Sequence, residues 1–189
     1  MRSIFACTAG FACLFLFDWL QLHKRSVLAR LCSGIGYIAI IIGLFLLLVS
    51  YKMGSFSSLF LFIKLAGATL FFALLIYSVF IEIGLKSPYV ESDERTAVIT
   101  GTYGLVRHPG FLWFAGLLLI LISIYRDWEF SLIAASIIAM NFILVLMEDL
   151  ILFPKLFTNY GEYKKTVPFI IPRINSIYRL LRNINEETD

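Results

Sequence analysis

The chain has 189 residues, of which 60% are hydrophobic and only 15% charged, with a net charge of +3 and a mean hydropathy of +0.87. A water-soluble domain is nearer half apolar and a quarter charged and could not hide this much hydrocarbon, so the composition excludes an ordinary soluble fold. The small positive charge calls for no nucleic acid partner, because a basic face against anionic membrane lipids accounts for it.

The apolar residues come in long unbroken runs, as a hydrocarbon solvent demands of a helix. Five runs, at 3–20, 31–50, 58–85, 110–125 and 130–150, approach the roughly 20 residues that cross a bilayer core. The expected fold is an all-α polytopic membrane helix bundle of about five transmembrane helices. With no Pro/Gly/Ser linker to divide it, 1–189 reads as one membrane domain: three spans in 1–85, spans four and five within 86–172, and a basic then acidic tail over 173–189. The first run continues apolar to Phe17 and offers a poor lipoprotein cleavage site at Gly10-Phe11-Ala12-Cys13, so it reads as a span and not as a secretion signal. Cys7, Cys13 and Cys32 fall in or beside the first two runs without C-x-x-C spacing and read as small core residues.

Pro109 precedes the short fourth run and suits a helix start, where its missing N–H costs nothing. Arg126-Asp127-Trp128-Glu129 then leaves room only for a tight antiparallel hairpin into the fifth run, with Trp128 at the interface. Five spans put 21–30, 86–109 and 151–189 on one side. That side holds twelve of the sixteen Lys and Arg; the other holds Arg2, Lys52 and Arg126, and Lys64 sits inside the third run near its outer end, long enough to snorkel outward. The positive-inside rule then predicts the N-terminus outside and the C-terminus in the cytoplasm.

Charges at membrane depth are expensive and mark functional candidates. Asp18 and Glu82, near the cytoplasmic ends of their runs, read as interfacial carboxylates. Glu148-Asp149 is embedded between Met147 and Leu150-Ile151-Leu152-Phe153, with Asn141 two turns earlier on the same stripe. Such a stripe suits the wall of a polar cavity, or for Asn141 a helix–helix hydrogen bond. The segment from Val98 to Phe111, with its Thr100-Gly101-Thr102 run, Gly104 and Pro109-Gly110, reads as a loop whose backbone groups are free to meet a ligand at a helix start. Arg107-His108 there is either part of a site or plain flanking charge. His23 and His108 both lie at the membrane margin and neither pairs within a span, so no metal or haem site is expected.

Arg107-His108-Pro109, a helical hairpin of about forty residues, Glu148-Asp149 with Leu152, then Tyr160, Tyr163, Val167-Pro168 and Pro172 form a series. In order and spacing, from about Ile99 to Pro172, this series resembles the isoprenylcysteine carboxyl methyltransferase and phospholipid methyltransferase superfamily. The family's pattern reads T-x-G-x-Y, R-H-P-x-Y, E-E-x-x-L and F-G-x-x-Y-x-x-Y-x-x-x-V-P. The resemblance implies a membrane methyltransferase with a cytoplasmic cofactor pocket. In it S-adenosylmethionine lies against Val98, Ile99, Tyr103, His108, Pro109, Gly110 and Phe111, with Glu148 reaching it and Asp149 and Arg107 as catalytic candidates. The acceptor it implies is a lipid or another lipophilic small molecule. The chemistry is compatible: a sulfonium with an amino acid tail and an adenosine asks for a carboxylate, aromatic faces and a backbone-lined slot.

The departures bear on the acceptor. Leu144 stands where the prenylcysteine branch carries an arginine, which removes the natural counter-charge for a carboxylate acceptor and leaves amines, phenols, thiols and other lipid-soluble nucleophiles. Phe111 replaces a tyrosine, Phe157 a glycine, and the loop between Thr100 and Tyr103 is one residue shorter. Two other readings compete. A sterol-type membrane reductase using a dinucleotide shares an R-H-x-x-Y motif, but Glu148-Asp149 would repel its phosphates. A non-catalytic membrane adaptor would use the acids only in an ion pair with a neighbour such as Arg107.

Overall fold

A computed structural model describes residues 2–23, 26–82, 96–178 and 180, and these are helical with no strand among them. The end of the third run at 83–85, Lys24, Arg25, Lys86, Arg95, and most of the tail lie outside the described residues. The helices are α1 (Arg2–Leu22), α2 (Ser26–Ser50), α3 (Ser58–Ile76) running into a π-helical stretch π1 (Tyr77–Glu82), and the short α4 (Thr102–Leu105). They continue with α5 (Pro109–Tyr125), α6 (Trp128–Met147), the π-helical π2 (Glu148–Leu152), α7 (Phe153–Leu156) and α8 (Tyr160–Thr166). Four continuous helices are long and apolar enough to cross a membrane: Arg2–Leu22, Val27–Ser50, Ser58–Glu82 and Trp128–Leu156. Pro109–Tyr125 is a shorter apolar helix, about 26 Å at 1.5 Å per residue. In α3 only Ala68 is buried, and Phe60, Phe62 and Leu70 are exposed, as expected of a helix solvated by lipid.

The chain divides into two compact units, Met1–Ala68 with Leu117–Leu152 and Thr69–Gly116 with Phe153–Asp189. In the first, α1 packs along α2 and against α6 and π2. Ser3, Cys7, Gly10 and Leu14 recur at four-three-four spacing on α1, and Gly36, Ile40, Gly43 and Leu47 do so on α2; all eight are buried. That period of 3.5 keeps one seam facing the partner helix, and small residues let the backbones approach, since lipid supplies no hydrophobic drive between spans. Cys7 lies fully buried in this seam as a free thiol, while Cys13 and Cys32 are half-buried and also free.

At one end of the same unit, the segment 51–57 is tied to the α5–α6 turn. Gly54 N–H donates to Ile124 O at 3.0 Å, Tyr125 Oη to Leu48 O at 3.0 Å, and Phe130, fully buried, stacks on Tyr125 at 4.3 Å. Lys64 bends to this end, its Nζ donating to Ser123 O at 2.7 Å above the Phe56 ring. The turn is tighter than the four residues expected from the sequence, because Trp128 and Glu129 already belong to α6. Arg126 at φ 53 reverses the chain, and the Asp127 side chain caps α6 by accepting Phe130 N–H at 2.9 Å. Trp128 is exposed. At the other end Asp18 is buried on α1, with Oδ2 accepting no hydrogen bond among the described residues.

Candidate functional site

In the second unit the apolar wall of α3 ends in two buried polar side chains on π1. Glu82, 1% exposed, accepts Thr102 N–H across both oxygens at 3.0 and 3.2 Å and the Thr102 hydroxyl as well. Ser78 Oγ accepts Trp113 Nε1–H at 2.9 Å and lies 3.1 Å from Thr102 Oγ1, while the Ser78 carbonyl accepts Tyr103 Oη–H at 3.3 Å. Between Thr100 and Thr102 the backbone passes through Gly101 at φ 58 and ψ −136, a conformation costly for any residue with a Cβ. Gly110, the second residue of α5, lies beside π1, where an added Cβ would stand 2.9 Å from Val79 Cγ2.

The segment after α7 folds onto this loop and is bonded to it along its length. Asn159 pairs with Ala97, accepting its N–H at 2.7 Å and donating to its carbonyl at 3.2 Å. Tyr163 Oη donates to Tyr103 O at 2.6 Å, and Arg107 Nη1 donates to Val167 O at 2.6 Å. Backbone bonds from Arg107 N to Pro168 O at 2.9 Å and from His108 N to Phe169 O at 3.3 Å continue the seam. Tyr160, Tyr163 and Val167 form the buried core beneath it, with Ala97, Phe153 and Phe157 packed alongside. The His108 ring stacks on Phe153 at 5.6 Å and meets the edge of Phe169 at 5.2 Å. Two cations already sit over ring faces here, Arg107 over Phe169 at 5.5 Å and Lys164 over Tyr160 at 5.9 Å.

Of the residues singled out in the sequence, this unit brings Tyr103, Arg107, His108 and Pro109 together with Tyr160, Tyr163, Val167 and Pro168. Arg107, His108 and Pro109 are buried, Val98, Tyr103, Gly110 and Phe111 half-buried, and Ile99 is exposed. Pro109 is the first residue of α5, as its position suggested. Arg107 is engaged as a clamp, its guanidinium spent on carbonyls 57 and 60 residues away. Glu148 and Asp149 belong to the first unit, on π2, where Asp149 is 3% exposed and Glu148 half-buried. Among the described residues no three His, Cys, Asp or Glu side chains gather as metal ligands would.

In the sequence Glu82 reads as an interfacial carboxylate, and Ser78, Trp113 and Asn159 carry no motif. A signal for the first pair was present: Ser78 and Glu82 are four apart in an otherwise apolar run, which places them on one face. No family model, curated protein or solved structure matches this chain.

Proposed function

We propose that the chain is an integral membrane methyltransferase that moves a methyl group from S-adenosylmethionine to a lipophilic or membrane-embedded acceptor. In this reading all five apolar helices cross the bilayer, the N-terminus is outside, and the loop from 98 to 111 faces the cytoplasm, where the donor is available. One observation carries the reading. Motif positions about sixty residues apart, Tyr103 with Tyr163 and Arg107 with Val167 and Pro168, are bonded to one another, as they must be if the motif series builds one site. Flanking charge that merely marked the cytoplasmic side would give no reason to bury Arg107.

The donor supplies a sulfonium methyl that a nucleophile displaces in line, so the chain need provide no nucleophile of its own. What its residues provide is placement. Ring faces that already hold the Arg107 and Lys164 cations suit a sulfonium by the same electrostatics. Tyr103 and Phe111 present rings on the loop, and Val98, Ile99, His108, Pro109 and Gly110 line it. Glu148 and Asp149 enter through the motif series alone: Glu148 as the carboxylate for the donor's positive groups, Asp149 as the base when the acceptor must lose a proton. Leu144, buried and apolar, offers no counter-charge for a carboxylate acceptor, which favours an amine, phenol or thiol.

Isothermal titration of the detergent-solubilised protein tests this. S-adenosylmethionine is expected to bind in the micromolar range, His108→Ala and Glu148→Ala to weaken it about tenfold, and Asp149→Asn to bind as wild type but turn over more slowly on membrane lipids with labelled donor. Equal affinity for wild type and both alanine variants would mean the site is misplaced. Wild type stabilised thermally by a reduced dinucleotide and not by the donor would favour the reductase.

Orientation has its own test. Asn175→Cys is expected to be labelled by an impermeant maleimide only from the cytoplasmic side and Ser55→Cys only from outside, both positions being exposed. The reverse pattern overturns the topology.

A further inference from the structure

The donor loop is held from a helix that the motif series does not include. Glu82 closes π1 with its carboxylate 1% exposed, and burying a carboxylate is unfavourable unless donors replace its water. Thr102 supplies two, its backbone N–H and its hydroxyl. The arrangement is reciprocal. The Thr102 N–H opens α4 and has no acceptor within the helix, so an acceptor twenty residues earlier in the chain does that work. The bonds hold the chain directly after its φ 58 turn.

The next residue is Tyr103, fixed at both ends. Its hydroxyl donates to the Ser78 carbonyl on π1 at 3.3 Å, and its own carbonyl accepts Tyr163 Oη–H at 2.6 Å. Ser78 is tied in turn to Trp113 on α5 at 2.9 Å. Two polar residues on one face of π1 therefore set the backbone from Gly101 to Tyr103 and the plane of the Tyr103 ring.

We propose that Glu82 is a positioning residue for the donor: by holding Thr102 it places the Tyr103 ring, and it sets donor affinity without touching the donor. This rests on the proposed function, and its test has one arm that does not. The variants are Glu82→Gln, which keeps an oxygen for the Thr102 N–H, Glu82→Ala, which keeps none, and Thr102→Val, which removes only the hydroxyl. Donor titration is expected to show Glu82→Ala weakened about tenfold, Glu82→Gln within about threefold of wild type, and Thr102→Val between them. The double variant Glu82→Ala/Thr102→Val should be weakened by less than the two single effects combined, because both singles remove the bond between the Thr102 hydroxyl and Glu82.

Hydrogen exchange on the same proteins without donor should show faster exchange over 100–105 in Glu82→Ala and unchanged exchange over 159–167. A merely structural role for Glu82 would loosen both segments and show no rescue by glutamine. The proposal is overturned by wild-type donor affinity in a folded Glu82→Ala, or by wild-type exchange over 100–105. If Glu82→Ala does not fold, Glu82→Gln and Thr102→Val decide: wild-type affinity and exchange in both overturns it. Wild type that binds no donor removes the proposed function, while the exchange arm still decides whether Glu82 holds the loop.

Discussion

Arg107→Ala is expected to free the C-terminal segment from the loop and to cost about 3 kcal/mol of stability, the scale for losing a buried, charge-assisted hydrogen-bonding group. The wild-type guanidinium donates to Val167 O at 2.6 Å and approaches Lys164 O at 3.4 Å in a place where water does not compete, since the residue is 9% exposed. Alanine leaves those carbonyls without this donor and vacates the space over the Phe169 ring. Lysine keeps the charge but is a single point donor on a longer stem, so Arg107→Lys should recover only part of the loss. Trypsin supplies the measurement, because Lys164 and Lys165 lie inside the clamped segment. Cleavage there should accelerate strongly in Arg107→Ala and modestly in Arg107→Lys. A wild-type cleavage rate in the alanine variant would show that the remaining bonds, Asn159 with Ala97 and Tyr163 with Tyr103, hold the segment unaided.

Gly10→Val should be comparably damaging for a different reason. A Cβ at Gly10 would stand 2.6 Å from Ile40 Cγ1, 2.8 Å from the Gly36 carbonyl and 3.0 Å from Ile40 N. Two of these atoms are backbone, so no rotamer change relieves the contact and α1 must move off α2. Overpacking of this kind costs about 3 kcal/mol at the upper end of its usual range, against a helix-propensity gain of well under 1 kcal/mol on losing glycine. The clash wins. Gly34, on α2 two residues before Gly36, has nothing within 4 Å of its added Cβ. Gly34→Ala should therefore be neutral or stabilising by up to about 1 kcal/mol. Unfolding in mixed micelles, followed by circular dichroism, reads both. Equal stability of Gly10→Val and Gly34→Ala would mean that α1 and α2 are not packed through this seam.

The long helices are legible in the amino-acid order, because crossing hydrocarbon requires an apolar run of sufficient length, and that is a property of consecutive residues. Helices α1, α2, α3 with π1, α5 and α6 with π2 all fall where the runs at 3–20, 31–50, 58–85, 110–125 and 130–150 placed them. The differences are at the ends. Helix α6 starts at Trp128 because Asp127 caps it and Arg126 turns the chain, and the continuous helix reaches Leu156 because π2 and α7 carry on past the acids. Pro109 as a helix start and Cys7 as a core residue were legible for the same local reason.

The partner of each polar group, by contrast, emerges only from the folded chain. Glu82 looks in sequence like any carboxylate near a membrane margin; its burial and its bond to Thr102, twenty residues on, appear only in the fold. Arg107 reads equally well as flanking charge, and its bonds to the carbonyls at 164 and 167 leave no trace in the sequence. Asn159 gives no sign in sequence that it will pair with Ala97, 62 residues earlier. Hydrophobic length is summed along the chain, whereas a hydrogen bond depends on distance and angle between groups that chain order does not relate.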